Sequence, residues 1–327
     1  MRRDEAGSCW IGCLALSVAV GAGARGPGPS AVEGPGPSAV EGPAPSAVEG
    51  PALPQPASEL TVSVRSRTIQ PGSVVRLDVS CTCAAAGRPA KARVFDREIP
   101  LVRVRDGAAW SGLIGIDLET APGTYRVQVA AESADARTLT ATHPLAVAAR
   151  QFPTRRLRVA PAYVEPPAAE IKRIAADAAR LNALYKTTTG QSLPGRFEAP
   201  VAAAPQNTFG ARSIFNGQSR SPHSGVDFPS PLGTPIASPA TATVVLADDL
   251  FFTGRTVALD HGLGLISVLA HMSKIAVHVG DAVKPGDVLG EVGATGRATG
   301  PHLHWSVRLN GARVDPMSLI ELPGAER

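Results

Sequence analysis

The stretch TGPHLHW at Thr299–Trp305 places two histidines around one leucine, in a chain of 327 residues that holds only seven histidines. The run HLHWSV has the β-branched and aromatic residues and the period-two alternation of a β-strand. Side chains two apart on a strand share a face, so His302 and His304 point one way, while Leu303 and Trp305 point the other way. Such a pair allows one imidazole to bind a metal ion while its neighbour reaches a substrate bound there.

A second motif, SPHSGVDF, supplies two further side chains of metal-binding type. It places His223 and Asp227 four residues apart, and Gly225 lies between them. We expect a turn at this glycine that lets the imidazole and the carboxylate converge, since the pair suits zinc. Together with His304, they would give three protein ligands and an open fourth position, which is typical of catalytic rather than structural zinc sites. We therefore predict that His223, Asp227 and His304 bind Zn²⁺.

The remaining histidines are interpreted by their local context. His271, in LAHMS, ends an apolar strand. Alone it would be assigned to the core, but the two motifs above favour a catalytic role. We expect His261, in the turn DHGLG, to be structural, and His143 and His278 to lie on the surface.

In this order the motifs resemble the lysostaphin/LytM-type family of peptidoglycan zinc endopeptidases. The resemblance rests on HSGVD at His223–Asp227, HMS at His271–Ser273, the glycine-rich VKPGDVLGEVGATG at Val283–Gly296, and TGPHLHW. It covers about Phe209–Leu319, over a third of the chain. The segment GLIGIDLETAPGTYRV further upstream is similar to the immunoglobulin-like module that precedes some of these peptidase domains.

This resemblance implies a zinc endopeptidase that hydrolyses peptide crosslinks or stems of bacterial peptidoglycan. Carried over by position, it assigns zinc to His223, Asp227 and His304, and it makes His271 and His302 the catalytic pair that does not bind zinc. The alternative is a catalytically silent binding module that activates another cell-wall hydrolase, since some relatives of this fold have lost their ligands.

One departure from the family concerns tyrosine. The family often has a tyrosine two residues before the first catalytic histidine, and here that position is Leu269. No tyrosine follows Tyr185 in the sequence. A tyrosine hydroxyl of the C-terminal region therefore cannot stabilise the transition state, which affects substrate details rather than metal binding.

The N-terminus predicts export. The apolar stretch Trp10–Val20 follows the basic start MRR and is too short to span a bilayer comfortably. Ala22-Gly23-Ala24 offers a small-x-small cleavage site, so we predict a signal peptide over residues 1–24 and a periplasmic or extracellular, cell-wall-associated protein. An uncleaved anchor is the alternative. After cleavage, we expect no stable membrane insertion.

Four further regions follow in the predicted fold, which is mainly β. Residues 25–57, with tandem octapeptides such as GPGPSAVE, predict an extended Pro/Gly-rich linker. Residues 58–149 have short alternating strands and Pro-Gly turns, which predict an immunoglobulin-like sandwich. We interpret it as a spacer or as a docking module for a regulatory protein partner. Residues 150–205 form a connector with one amphipathic helix in AAEIKRIAADAARLNALY, which we expect to pack on a neighbouring domain. Residues 206–322 form the antiparallel β metallopeptidase domain.

Charge and cysteine content limit the remaining functions. The net charge is +4 without a dense run of lysine and arginine, so the sequence does not indicate a nucleic-acid partner. Cys81 and Cys83 would be the cysteines left after signal cleavage. We expect them to be structural or incidental, with a strained local disulfide as the alternative.

Overall fold

The fold is described from a computed structural model, over residues 60–82, 89–104, 109–133, 135–190 and 193–323. The predicted signal peptide, the whole of the predicted linker with its octapeptides, and Cys83 lie outside these residues, so the predictions for them remain untested. The described residues all belong to one compact unit, Pro56–Arg327. They are mainly β, as the sequence predicts, and none of their helices is long and apolar enough to cross a membrane.

The upstream part consists of two antiparallel sheets. Its described strands are β1 (Leu60–Arg65), β2 (Val74–Cys81), β3 (Lys91–Val94), β4 (Arg97–Ile99), β5 (Leu101–Arg103), β6 (Ala109–Gly115), β7 (Gly123–Glu132) and β8 (Thr138–Val147). One sheet has the order β1-β2-β6-β5 and the other β4-β3-β7-β8. Their inward side chains, including Leu77, Ile114 and Leu145, form one buried core. The immunoglobulin-like assignment stays a prediction.

The downstream part contains the remaining elements. They are β9 (Thr154–Leu157), two 3₁₀ turns (Pro161–Tyr163 and Ala168–Glu170), α1 (Ile171–Leu184), β10 (Arg212–Phe215), β11 (Gln218–Ser219), β12 (Gly225–Pro229), β13 (Pro235–Ala237), β14 (Ala242–Leu250), β15 (Gly254–Asp260), β16 (Leu265–Ile275), β17 (Ala282–Val283), β18 (Val288–Val292), β19 (His302–Leu309), β20 (Ala312–Val314) and α2 (Pro316–Ile320). The main sheet runs β12-β19-β16-β15-β14-β17. The strands β13, β18 and β20 pair at its margins.

Helix α1 confirms the predicted amphipathic helix and packs on the main sheet. Its apolar face brings Leu181, Leu184 and the following Tyr185 against a buried cluster that includes Leu250 and Ile266. The sequence predicts this face because the apolar residues recur at helical spacing. Leu181 and Leu184 are partly buried, and their packing helps to hold the helix to the sheet.

The connector contributes a strand that the sequence analysis does not predict. Strand β9 pairs in parallel with β10, and β10 pairs with β11, which gives a small sheet of three described strands beside the main one. Residues 150–205 are therefore not a simple spacer, since part of them is hydrogen-bonded into the structure around the C-terminal strands.

The upstream sheets pack directly against the downstream sheet. Val74, Leu113 and Leu118 belong to the same buried core as residues of β16 and β19. Polar contacts reinforce this interface, because Arg313 binds Asp117 with Nη2–Oδ1 at 2.6 Å and the backbone N–H of Arg313 donates to the same carboxylate at 2.8 Å. Both side chains are largely buried, so this ion pair stabilises the interface more than an exposed pair would.

We expect acid to weaken this interface through Asp117. Burial alone would raise its pKa, but the hydrogen bonds from Arg313 outweigh burial and lower the pKa from 3.8 to about 2. A depressed carboxyl pKa stabilises the fold above the unfolded-state value, and this stability is lost as pH falls from about 4 to 2. The loss should be about 2 kcal/mol in the free energy of unfolding.

The measurement is urea unfolding at several pH values for the unchanged chain and for Asp117→Asn. The variant should be less stable at neutral pH but should lose about 2 kcal/mol less between pH 4 and pH 2. Equal pH dependence of the two proteins would contradict the prediction.

Candidate metal and catalytic site

Strand β19 places the two histidines as its alternation predicts. Leu303 and Trp305 are fully buried on one face, while His302 and His304 lie on the other face and are partly exposed. Strand β19 lies between β12 and β16 in the sheet. Side chains of these two strands can therefore lie beside His302 and His304 on the same face of the sheet.

The register between β12 and β19 brings the two motifs together. Asp227 pairs directly with His304 in the antiparallel ladder, so their side chains lie side by side on one face. His223 precedes β12 and is held by its backbone, whose N–H donates to the carbonyl oxygen of Ala211. Asp227 and His223 precede His304 by 77 and 81 positions in the sequence, and strand pairing brings the three together.

Three potential ligand atoms converge at one point. The Nε2 atom of His223 lies 3.0 Å from Nδ1 of His304, and Oδ1 of Asp227 lies 3.0 Å from His304 Nδ1 and 3.3 Å from His223 Nε2. Among the described residues, these three side chains form a group whose donor atoms lie close enough together to hold one metal ion. Two imidazoles and a carboxylate are a donor set that suits zinc and similar divalent ions.

The hydrogen bonds of the imidazoles fix which nitrogen carries the proton. A backbone carbonyl can only accept, so a ring nitrogen bound to one must be N–H, which leaves the other nitrogen of a neutral ring with a free lone pair. Three Nδ1 atoms have such partners: His223 with Thr208 O at 3.1 Å, His271 with Thr295 O at 2.8 Å, and His302 with Gly300 O at 2.8 Å. Their Nε2 atoms are therefore unprotonated in the neutral state. For His223, this lone pair belongs to the converging group, which is the arrangement that metal binding needs.

The surroundings keep Asp227 ionised. Burial alone would raise its pKa, but the neighbouring imidazoles of His223 and His304 outweigh burial and hold the pKa well below its usual range. Arg155 adds a positive charge, with Nη1 at 3.6 Å from the outer oxygen Oδ2. Burial lowers the pKa of His304, which favours the neutral imidazole that a metal ion requires.

His271 reaches the site through an irregularity in strand β16. Arg255 pairs with Met272 and Val257 pairs with Leu269, so two residues, Ala270 and His271, oppose the single Thr256. This β-bulge places His271 at φ +65°, a left-handed conformation that is uncommon for histidine. Its ring lies 4.8 Å from that of His302 between centroids. Burial, with smaller contributions from His304 and His302, lowers its pKa to about 3, so the ring is neutral near pH 7.

A cleft of about 530 Å³ contains all five residues that the sequence predicts for the site. It also contains three arginines that the sequence analysis did not select, Arg155, Arg220 and Arg297. Arg155 comes from β9, upstream of the predicted metallopeptidase domain, and only the basic run RRLR there could have drawn attention to it. Leu269, the position that replaces the family's tyrosine, is fully buried in the core and does not line this cleft.

The predicted turn at Gly225 is wrong, and the glycine has another role. Gly225 begins strand β12 and pairs with Ser306, so the chain is extended there. A Cβ at this position would lie 2.5 Å from the carbonyl oxygen of Trp305 and 2.7 Å from the ring of His304. Glycine is required because the ring of His304 packs against the backbone at this position.

Gly225→Ala should therefore disturb both folding and metal binding. The clash involves a backbone atom of β19, which cannot move independently, so we expect a loss of about 1–3 kcal/mol in the free energy of unfolding together with weaker metal binding. Urea unfolding and metal titration measure the two effects. The matched control is Gly195→Ala, because an added Cβ there has no atom within 4 Å, and it should change stability by less than about 0.5 kcal/mol. Equal effects of both substitutions would contradict the role assigned to Gly225.

The remaining histidines have structural or surface positions. His261 is buried, and its ring nitrogens contact Thr241 O at 3.0 Å and Ser267 Oγ at 2.9 Å, which fits the predicted structural role. His278 is almost fully exposed, as predicted.

Comparison with known proteins identifies the family. The profile of Peptidase family M23 matches residues 221–316. A solved structure of a peptidase M23 from Pseudomonas aeruginosa is 35% identical, with a TM-score of 0.59, and the alignment covers 78% of this chain and 96% of that one. The chain belongs to peptidase family M23. The similarity to the Pseudomonas structure extends well beyond residues 221–316, so most of the described architecture is shared.

Curated relatives of this M23 chain match over a shorter region. An uncharacterized metalloprotease of Haemophilus influenzae is 43% identical over 104 residues, which are 32% of this chain and 22% of that protein. Peptidoglycan DD-endopeptidase ShyA of Vibrio cholerae is 38% identical over 96 residues, which are 29% of this chain and 22% of ShyA. The match thus spans about a fifth of the length of these two relatives.

Proposed function

We propose that this M23 chain is a zinc-dependent endopeptidase that hydrolyses peptide crosslinks or stems of bacterial peptidoglycan. The observation that carries the proposal is the convergence of His223, Asp227 and His304 in one cleft that also holds His271 and His302. Peptidoglycan DD-endopeptidases among the relatives support the choice of substrate. The alternative of a catalytically silent module lacks support, because each predicted ligand position is filled by a side chain able to bind metal.

In this proposal, His223 Nε2, His304 Nδ1 and Asp227 Oδ1 hold the zinc ion. Zinc supplies Lewis-acid polarisation of a peptide carbonyl and an activated water when it is bound. The hydrogen bond from His223 Nδ1 to Thr208 keeps the ring in the ligand tautomer, and Arg155 holds the outer oxygen of Asp227. These outer contacts orient the ligands and so contribute to metal affinity.

His271 and His302 act as the proton carriers. Each donates Nδ1–H to a backbone carbonyl, so each has an unprotonated Nε2 in the neutral state. Such an Nε2 accepts a proton as water attacks the peptide carbon, and the resulting N–H can hydrogen-bond the developing oxyanion or return the proton to the leaving amine.

The placement of the protein follows from the same proposal. Peptidoglycan lies outside the cytoplasmic membrane, so the chain must be exported, and we propose that residues 1–24 act as the signal peptide. The upstream sheets are proposed as a docking surface for a regulatory partner or as a limit on access to the cleft.

The test is mass spectrometry of purified muropeptides after digestion with zinc-loaded protein. Endopeptidase activity predicts new products whose masses add up to the mass of the intact crosslinked peptide or stem plus one water. The same protein treated with a chelator is the control and should yield none of them. If the zinc-loaded protein leaves every crosslink and stem intact, the proposal is wrong.

A further inference from the structure

The cleft is strongly basic apart from its single carboxylate. Its lining includes the guanidinium groups of Arg155, Arg220 and Arg297, and Asp227 is the acidic residue among the described residues that line it. Arg155 already contacts Asp227, and Asp227 is committed to the proposed metal site. The positive charges of Arg220 and Arg297 therefore remain available to a ligand.

Among the described residues, aromatic contacts hold the Arg297 guanidinium group and its N–H groups have no hydrogen-bond acceptor. Its guanidinium carbon lies 4.6 Å from the ring centre of Phe252 and 5.0 Å from that of Phe215. Stacking on aromatic rings uses the faces of the planar group and leaves its N–H edges free. Such a pre-oriented guanidinium loses little further freedom when it binds an anion.

Arg220 is also fixed, and it keeps an unused donor. Its Nη2 donates to the carbonyl oxygen of Val164 at 2.8 Å and to Oε1 of Gln218 at 2.7 Å. Its Nε is buried and has no hydrogen-bond partner within the described chain. A buried donor without a partner is unfavourable, so this site gains when a ligand supplies an acceptor.

The two arginines are neighbours without an acidic partner in the part of the chain that the structure describes. Burial, together with the nearby charge of Arg220, lowers the pKa of Arg297. Like charges held close together in a partly buried site repel, and an anion between them removes this cost. Carboxylates match the planar donor geometry of guanidinium groups and form two parallel hydrogen bonds.

We propose that Arg220 and Arg297 form a carboxylate-binding subsite, so that the cleft selects peptides with a free carboxylate near the cleaved bond over their carboxamide forms. The proposal rests on the proposed peptidase function and names its substrate class: anionic stem peptides rather than uncharged bridges such as oligoglycine. The subsite supplies positioning, since it lies in the same cleft as the catalytic histidines.

The experiment compares two muropeptides that differ only by amidation of the stem carboxylates. The unchanged, zinc-loaded chain should cleave the carboxylate form with a kcat/KM about 10–100-fold above that of the carboxamide form, as expected for one or two charge-assisted hydrogen bonds. Arg297→Gln and Arg220→Gln should lower kcat/KM for the carboxylate form alone, so that the ratio approaches one. Unchanged thermal unfolding of the variants confirms that they are folded.

Arg156→Gln is the matched control, because Arg156 lies on β9 beside Arg155 but is exposed and does not line the cleft. It removes the same charge and should leave the ratio unchanged. The proposal is overturned if the unchanged chain cleaves both forms equally, or if both cleft variants keep the original ratio.

Binding of the same two muropeptides to the metal-free protein separates this proposal from the peptidase function. Calorimetry should show tighter binding of the carboxylate form, and Arg297→Gln should abolish the difference. If neither form is cleaved but this difference is present, the peptidase function fails and the subsite stands. Equal binding of both forms would overturn the subsite even when cleavage is observed.

Discussion

The His302→Ala variant should keep its zinc and lose activity by about 10²–10⁴-fold, the contribution that a positioned acid–base group makes. His302 stands apart from the converging atoms, since its Nε2 lies 3.9 Å from Asp227 Oδ1 and its Nδ1 is engaged with Gly300. His223→Ala should instead lose the zinc, because its Nε2 is one of the three converging atoms. The two variants thus separate metal binding from proton transfer.

Metal content after dialysis and hydrolysis of muropeptides measure these effects. His278→Ala is the control for removal of an imidazole, because His278 is exposed and does not line the cleft, and it should match the unchanged chain in both measurements. If His223→Ala and His302→Ala are both zinc-replete, the ligand assignment is wrong.

Two replacements of His271 should both lower activity, but the glycine variant should be more stable than the alanine variant. Both His271→Ala and His271→Gly remove the proposed proton carrier, so we expect activity to fall by about 10²–10⁴-fold in each. Alanine retains the strained backbone at φ +65°, whereas glycine adopts this conformation without penalty. His271→Gly should therefore exceed His271→Ala by about 1 kcal/mol in the free energy of unfolding.

Urea unfolding and muropeptide hydrolysis, both on zinc-loaded protein, are the measurements. A glycine variant that is less stable than the alanine variant would show that the bulge imposes no strain. A variant that retains full activity would remove His271 from the proposed mechanism.

The parts that could be predicted are those set by local periodicity. The alternation in HLHWSV gives the two faces of β19, and helical spacing gives α1. The ordered motifs place His223, Asp227, His271, His302 and His304 in one site by resemblance to the family, and the structure brings these residues together. Each of these predictions depends on residue types that strongly favour one structure or one chemistry.

The parts that could not be predicted depend on long-range packing. The bulge that directs His271 into the cleft arises from the pairing of β15 with β16, and its sequence LAHMS reads as an ordinary apolar strand. Arg155 reaches Asp227 because β9 pairs with β10 across more than fifty residues. The need for glycine at position 225 depends on the ring of His304, which lies far away in sequence.

Strand β9 affects where the C-terminal domain can be cut for transfer into another protein. It supplies Arg155 and Leu157 to the wall of the cleft, and the chain just after it supplies Val159, although all three precede the region that the family profile matches. A chimera joined at residue 206 would thus inherit part of its cleft from the upstream donor. A segment that carries the complete cleft into another protein, by engineering or by recombination in evolution, must therefore begin before Thr154.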